Sequence, residues 1–259
     1  HLAERGYSVI VLEAESVGFG ASGRNGGHVG IGQRQDQYYL EKQFGSEIAR
    51  GLWDMGLEAV DTVKQLIHKH GIHCDLKQGI LHLAHRSKYC RELEEEVDHL
   101  REHYQFEQME YVAAGALPNF LDSQAYYGAQ WDKASLHLHP LKYAQGLANA
   151  AVEAGVTICE QSKVLSYRPS STPTSPVGSS VVVRTANGSV TASELVLACN
   201  GYIEKLEPRI NGYIMPINNF ILATEPLSDE LAQAVSAQDT AMQDTRFVIN
   251  YWKLSADNR

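Results

Sequence analysis

The sequence predicts an α/β fold (α+β overall), in which a nucleotide-binding sheet is interrupted by a second, strand-rich part. One helix–glycine–strand pattern occurs twice, first at Leu2–Gly6 before Val9–Leu12, and again at Leu141–Gly155 before Val156–Glu160. Short apolar runs rich in β-branched residues are typical of buried parallel strands. The region between the two repeats mixes strands with charged helices and carries no nucleotide signature.

Composition limits the classes of protein that fit this chain. Its 259 residues can make one large domain or two smaller ones with a sizeable core. The net charge of −9 argues against nucleic acid or an anionic membrane as partner. No apolar run reaches membrane-spanning length, and four widely spaced cysteines without a CxxC pair predict free thiols rather than disulfides or a metal site. We therefore expect a cytoplasmic protein.

The first repeat carries the most specific signal. The run Val9–Leu12 ends at Glu13, and helix, glycine, strand and terminal acid form the second half of a Rossmann βαβ unit. The carboxylate at such a strand end accepts hydrogen bonds from an adenosine ribose. Gly18–Gly27 follows with five glycines, and such a loop brings backbone N–H groups close to phosphate or a flavin ring. An ordinary wide turn is the alternative interpretation of this loop.

The segments LAERGYSVIVLEA and GFGASGRNGG resemble the FAD-dependent amine and D-amino-acid oxidase superfamily, and the likeness runs from Leu2 to about Leu254. Within it, the chain is most similar to the gamma-glutamylputrescine oxidoreductase group of bacterial oxidases. In that family a first strand and its GxGxxG turn lie just upstream of such a helix, and a further C-terminal segment returns to the flavin. We therefore expect a fragment that is incomplete at both ends.

The remaining pattern predicts the elements in order. Gly30–Tyr39 is expected to be a loop over the cofactor, and Ser46 to cap a long helix that ends before Gly71. Strands are expected at Gln78–His85, Met109–Ala114 and Tyr126–Trp131, with a charged helix over Ser87–His103 between the first two.

In the second half, Pro140 is expected to start a helix, and Asn187-Gly188 signals a β-hairpin. Leu195–Ala198 has the composition of a second buried strand. The low-complexity stretch 169–180 predicts a surface loop, and Met215–Pro226 and Arg246–Leu254 predict strands. With the resemblance, these elements divide into an FAD-binding domain (1–40 and 140–212) and a substrate domain (41–139 and 213–259).

The resemblance also implies which residues hold the cofactor. Glu13 would bind the ribose, Val164 would contact adenine through its backbone, and the Asn200-Gly201 turn would lie near the pyrophosphate, although a simple turn remains an alternative there. The loop residues assigned to the flavin are Ala21, Ser22, Gly23, Arg24, Asn25, Gly26 and Gly27. His28, directly after the loop, is the candidate residue to face the substrate.

Other histidines resemble metal ligands in their spacing only. His99 and His103 match the HxxEH spelling of a zinc peptidase helix, but the surrounding charged run is typical of a solvated helix and supplies no third ligand. His137 and His139 are better explained by packing. We predict no metal site.

The expected function is an FAD-dependent oxidoreductase that oxidises the C–N bond of a small amine or amino-acid-like substrate, such as a gamma-glutamylputrescine-like amine. The resemblance implies hydride transfer to flavin N5, hydrolysis of the imine to an aldehyde, and reoxidation by oxygen or another acceptor. An NAD-dependent Rossmann dehydrogenase stays open, because Glu13 would serve the ribose of NAD equally well, although Gly18–Gly27 favours FAD. A truncated, non-catalytic remnant is a third hypothesis, and residues 1–259 alone are expected to be inactive.

Overall fold

The computed structural model describes residues 1–170 and 180–259 and has the mixed α/β architecture that the sequence predicts. Residues 171–179, most of the predicted surface loop at 169–180, lie outside the described residues. The helices are α1 (Gln37–Phe44), α2 (Ser46–Lys69), α3 (Lys88–Tyr104), α4 (Pro140–Glu153), α5 (Pro208–Asn211) and α6 (Asp229–Val235). The strands are β1 (Ile10–Leu12), β2 (His28–Val29), β3 (Lys77–Leu83), β4 (Met109–Ala113), β5 (Gly128–His137), β6 (Thr157–Cys159), β7 (Val164–Ser170), β8 (Ser180–Thr185), β9 (Ser189–Ala192), β10 (Ala241–Asp244) and β11 (Tyr251–Trp252).

The chain divides into two compact units, each built from two separated segments. The first unit comprises residues 1–19 and 148–220, and the second comprises residues 20–147 and 221–259. Which unit binds a cofactor and which binds a substrate stays a prediction.

The first unit contains the glycine and the strand of both predicted helix–glycine–strand repeats. Strand β1 pairs in parallel with β6, with Ile10 opposite Thr157 and Leu12 opposite Cys159. Gly6 takes the left-handed conformation at φ 86° and donates its N–H to the Ala3 carbonyl, so it ends the preceding turn as predicted. That turn is a 3-10 helix over Ala3–Arg5 rather than the end of an α-helix.

The predicted burial of the first strand is wrong. Ile10 and Val11 are 46% and 42% exposed. A parallel strand is buried when further strands flank it and helices cover both faces. Within the described part of the chain, the sheet that holds β1 has only the two strands β1 and β6.

The first unit also contains a three-stranded antiparallel sheet, β7-β8-β9. The Asn187-Gly188 hairpin is confirmed, because β8 and β9 flank it and the Thr185 N–H donates to the Gly188 carbonyl at 2.9 Å. Strand β7 was not predicted.

Two other predicted strands of this half are wrong. Leu195–Ala198 forms no strand, and Val196 is 74% exposed. Met215–Pro226 likewise forms no strand. Strand backbone needs a neighbouring strand for its N–H and C=O groups, and among the described residues neither segment has one.

The second unit is built on a mixed sheet of six strands in the order β11-β10-β3-β5-β2, with β4 also paired to β5. The predicted strands correspond to β3, β4 and β5, although β5 continues to His137. Strand β10 was missed and lies parallel to β3. Of the predicted strand Arg246–Leu254, only Tyr251–Trp252 pairs in the sheet.

Helices α2 and α3 pack on this sheet through a core cluster. Trp53 of α2 makes edge contacts with Tyr104 and Phe106, and Val97 and Leu100 of α3 complete the cluster. Gly71, with φ 57°, follows the last turn of α2 as predicted. Ser46 is the first residue of α2 and makes no capping hydrogen bond; Gly45 holds the cap position.

The loop predicted over Gly30–Tyr39 ends earlier than expected. The Asp36 carboxylate accepts the Tyr39 N–H at 2.7 Å, which is a helix cap, and α1 therefore begins at Gln37. The irregular loop is limited to residues 30–36.

Candidate functional site

Glu13 lies where the sequence places it, directly after β1 in the first unit. Its Oε1 accepts the Glu15 N–H at 3.0 Å, whereas Oε2 accepts no hydrogen bond from the described residues. Glu160 directly follows the parallel strand β6, and its carboxylate accepts the Val17 N–H at 2.6 Å. Both acids therefore stand at the carboxyl ends of parallel strands, the edge at which ligands bind in α/β sheets.

Two contacts within the same unit involve the chain near the other predicted cofactor positions, Val164 and the Asn200-Gly201 turn. The Ser162 N–H donates to the Glu13 carbonyl at 2.8 Å, two residues before Val164, which opens β7. The Lys163–Glu204 ion pair, at 3.1 Å, ties the same segment to the chain just after the Asn200-Gly201 turn.

The Asn200-Gly201 turn itself is tight. Asn200 takes a positive φ of 49° and starts a 3-10 helix through Tyr202. A Cβ on Gly201 would meet only Pro216, at 3.9 Å, so the protein leaves open space beside this glycine.

In the second unit, Asn25 organises the glycine loop. Its side-chain amide donates to the carbonyls of Ala21 and Ser22 at 2.9 and 3.1 Å, and its Oδ1 accepts the Gly27 N–H at 2.8 Å. The Gly23 N–H donates to the Gly20 carbonyl, and the Arg24 N–H to Ala21, each at 3.2 Å. The loop is therefore internally ordered over the residues assigned to the flavin.

The structure shows why residues 26 and 27 are glycines, which the sequence did not reveal. A Cβ on Gly26 would overlap the Tyr251 ring, and a Cβ on Gly27, which has φ 71°, would overlap the Leu138 carbonyl oxygen. Close approach at these two positions is thus already required by the protein's own packing. Their use by a cofactor stays a prediction.

His28 begins β2 and pairs with His137 of β5. Its ring nitrogens face two carbonyl oxygens, Nδ1 that of Gly26 and Nε2 that of Met242, each at 3.2 Å, and its ring meets Tyr251 edge-on. A neutral imidazole can donate only one of these bonds. Burial lowers the pKa of His28, which favours the neutral ring.

A cavity of about 830 Å³ lies within the second unit, and His28 forms part of its wall. Its volume is in the range of small-molecule sites. The wall is formed by the loop at residues 30–36, by α1, α2, α3 and the sheet, and by the segment after β10. Its ionisable residues are His28, Arg34, Asp36, Tyr38, His82, Tyr89, Glu92, Glu95, Glu96, Asp132, Asp244 and Arg246.

Two carboxyl groups of this wall are costly to ionise. Burial raises the pKa of Glu96, which the Gln130 amide, donating at 3.1 Å, offsets only in part. Burial also raises the pKa of Asp132, although the N–H groups of Ala134 and Ser135 donate to it at 2.9 and 3.0 Å. Asp244, by contrast, is paired with Arg246.

Sequence reasoning missed Glu96, Gln130, Asp132 and Lys253 as candidates. Glu96 belongs to the run 91–96, which the pattern assigns to a solvated helix, and only the fold shows that it faces a cavity. Lys253 follows β11, and its stem packs against Gly27. No local motif marks these positions.

The HxxEH pair does not form a metal centre among the described residues. His99 Nε2 lies 2.9 Å from Glu41 Oε1, and the His99 ring stacks on Tyr38. These contacts join α3 to α1, so His99 has a structural role.

The chain belongs to the family described as DAO, FAD dependent oxidoreductase, which it matches over residues 1–259. It is 39% identical to a probable oxidoreductase OrdL of Haemophilus influenzae and 36% identical to the gamma-glutamylputrescine oxidoreductase of Escherichia coli. Both alignments cover 100% of this chain but 59% of the relative. Family membership implies FAD as cofactor.

Solved structures support the fold alone. The L-proline dehydrogenase from P. horikoshii is 17% identical with a TM-score of 0.63, over 99% of this chain and 63% of that chain. A glycine oxidase from Geobacillus kaustophilus is 23% identical with a TM-score of 0.58, over 81% of this chain and 53% of that chain. No helix among the described residues is long and apolar enough to cross a bilayer.

The residues present fit an FAD-binding role. Glu13 keeps one carboxylate oxygen without a partner among the described residues, at the strand edge that suits a ribose hydroxyl. The Asn25-ordered loop presents a fixed backbone conformation. Nearby in the second unit, Lys253 is a half-buried cation without an ion pair among the described residues, which suits an anionic or electron-rich group.

Proposed function

We propose that the protein is an FAD-dependent oxidoreductase that oxidises the C–N bond of a small cationic amine. The cavity in the second unit carries this proposal, because acidic groups dominate its wall and two of them, Glu96 and Asp132, are partly buried. Family membership supports the cofactor, and the name of the Escherichia coli relative makes a gamma-glutamylated diamine the first substrate to test.

The cavity wall favours a cationic ligand for an electrostatic reason. Removing a carboxylate from water is costly unless an opposite charge or hydrogen bonds compensate. Glu96 has a single neutral donor, Gln130, so an ammonium group in the cavity would lower the cost of its ionised form. A 2-hydroxy acid would instead add a like charge.

The chain's own residues would bind and orient the amine. Glu96 and Asp132 would hold the ammonium end, while Trp53, Leu100 and Met109 supply apolar wall that excludes water. His28 would shape the wall without moving a proton, since both of its ring nitrogens face backbone carbonyls. When bound, FAD supplies the hydride acceptor, and oxygen or another acceptor completes the cycle.

The test is anaerobic bleaching of the FAD-loaded protein by a panel of amines and 2-hydroxy acids. Glu96→Gln should raise the KM for the gamma-glutamylated diamine about tenfold or more, as loss of a charge-assisted hydrogen bond predicts. Its kcat should change less. Glu102→Gln, an exposed residue on the same helix, is the matched control and should leave KM unchanged.

Bleaching by hydroxy acids but by no amine would refute the proposal. Reduction that requires added NAD would instead support a nicotinamide-dependent dehydrogenase.

A further inference from the structure

One end of the mixed sheet in the second unit gathers basic side chains. His137 of β5 is opposite His28 on one side and Lys77 on the other, so three strands end together there. Leu138, the next residue, donates its N–H to the Gly27 carbonyl at 2.9 Å. The glycine loop therefore ends directly beside this sheet edge.

Two buried polar atoms at this edge lack partners among the described residues: His137 Nδ1 and Asp239 Oδ1. The other atoms of the same groups are satisfied. His137 Nε2 lies 2.9 Å from the Asp239 carbonyl oxygen, and Lys77 Nζ pairs with Asp239 Oδ2. His137 is 1% exposed, so the missing hydrogen bond is not explained by bulk solvent.

Lys253 is the third feature of this edge. Its Cε lies 3.2 Å from where a Cβ of Gly27 would stand, so its stem packs on the glycine loop. Among the described residues its ammonium group makes no hydrogen bond and no ion pair. Burial, together with the charge of Lys77, lowers the pKa of Lys253. Lys77 and Lys142, in contrast, are paired with Asp239 and Asp75.

An unpaired, half-buried ammonium beside incompletely bonded polar atoms is unfavourable unless it meets an electron-rich ligand. Lys253 packs against the loop that the resemblance assigns to the flavin. The flavin is therefore the candidate for this electron-rich ligand. We propose that the ammonium group of Lys253 stabilises negative charge on the isoalloxazine of FAD. This inference rests on the proposed function.

The charge balance of the proposed reaction gives Lys253 its role. The ammonium group would first release one proton to water, and the neutral amine would then lose a hydride from its C–H bond and become an iminium cation. FAD would accept the hydride and with it one negative charge. A fixed cation beside that ring stabilises the charge and raises the tendency of the ring to accept electrons. His137, whose Nε2 lies beside the Asp239 carbonyl oxygen, would help to hold the sheet edge at which Lys253 lies.

The experiment measures this electronic effect directly in the FAD-loaded protein. Sulfite adds to N5 of an oxidised flavin and leaves negative charge on the ring, so its dissociation constant reports the stabilisation without any amine substrate. Lys253→Gln should weaken sulfite binding about tenfold or more, as expected for a lost charge-assisted interaction. Its flavin midpoint potential should become more negative.

Two variants serve as controls. Lys253→Arg keeps the charge and should retain most of the sulfite affinity, whereas Lys142→Gln removes a paired lysine of the same unit and should leave it unchanged. If Lys253→Gln does not fold, Lys253→Met keeps the apolar stem and serves in its place. The affinity for FAD itself is measured in parallel.

The outcomes separate the two proposals. Unchanged sulfite affinity and potential in a charge-removing variant would overturn the role of Lys253. Loss of FAD affinity with normal sulfite binding would also overturn it, because the lysine would then contact the phosphates. A wild-type protein that binds no FAD would refute the proposed function, and this inference with it.

Discussion

At the scale of the residue, the glycines of this chain differ in what surrounds them. Gly27 has φ 71°, and a Cβ there would overlap the Leu138 carbonyl. Gly51 lies within α2, and a Cβ there would meet no atom within 4 Å. Packing therefore requires glycine at position 27, whereas the surroundings of position 51 leave room for a side chain.

The same substitution at these two positions should have opposite effects on the free energy of unfolding. Gly27→Ala should destabilise by about 2 kcal/mol or more, since it adds a steric overlap to a left-handed backbone. Gly51→Ala should stabilise by about 0.5–1 kcal/mol, because alanine restricts the unfolded chain and favours the helix. Urea unfolding of both variants measures the difference, and a loss of stability at Gly51 would show that the α2 surface is not open.

Sequence reasoning identified single residues well where the signal is local. Gly6, Gly71 and Asn187-Gly188 need only a turn of the backbone, and the structure confirms them. His28 lines the cavity, but its predicted role of facing the substrate stays a prediction. Glu96 and Lys253 could not be found this way, because their burial depends on elements far away in the sequence.

At the scale of the element, the carboxylate of Glu41 links helix α1 to helix α3 by hydrogen bonds. Glu41 Oε1 accepts the Tyr104 hydroxyl at 2.7 Å and lies 2.9 Å from His99 Nε2. Burial alone would raise the pKa of Glu41, but these two partners lower it below its usual value. Gln37 and Tyr38, in the first turn of α1, line the cavity.

Glu41→Gln should loosen α1 without unfolding the unit. We expect hydrogen exchange of the α1 amides to accelerate by about tenfold, which corresponds to the loss of a hydrogen bond to a charged group. Because the pKa of Glu41 is lowered in the folded protein, its contribution is present above pH 4 or so and is lost on further acidification. The difference from wild type should therefore be largest at neutral pH.

Glu58→Gln provides the control, since Glu58 is exposed on the neighbouring helix α2. Equal exchange rates for α1 in the wild type and in Glu41→Gln would show that apolar packing alone holds the helix.

Helices and strands were predicted well when their own hydrophobic pattern shows which of their faces packs against other elements. The amphipathic α2 and α3 and the strands β3 to β5 pack on one another within the second unit. Leu195–Ala198 and Met215–Pro226 have strand-like composition as well, but composition supplies no hydrogen-bonding neighbour. Helix α6 was missed although Ser228 caps it by accepting the Leu231 N–H, a signal present in the sequence.

At the scale of the whole molecule, several large apolar side chains are nearly fully exposed. Phe247 is 99% exposed, Phe220 is 89% and Leu222 is 88%. Large apolar side chains exposed to this extent favour association. Strand β1 adds an edge that is unpaired within the described residues.

We expect residues 1–259 expressed alone to associate at micromolar concentration and to bind a hydrophobic dye. Replacing Phe220, Leu222 and Phe247 with serine should shift the protein toward monomer, as measured by light scattering after gel filtration. A variant with serine at the exposed Glu58, Glu102 and Gln238 controls for composition. A wild-type chain that is monomeric under these conditions would contradict the expectation.

The pairing of β1 with β6 has a consequence for the order of events during synthesis. Ile10 is opposite Thr157, so roughly 150 residues must be translated before the first strand meets its partner. At about 5–20 residues per second, β1 waits on the order of 10–30 s for β6 to be synthesised. Throughout that interval the edge of β1 that pairs with β6 is open to chaperones, which makes slower translation a direct risk to the yield of folded protein.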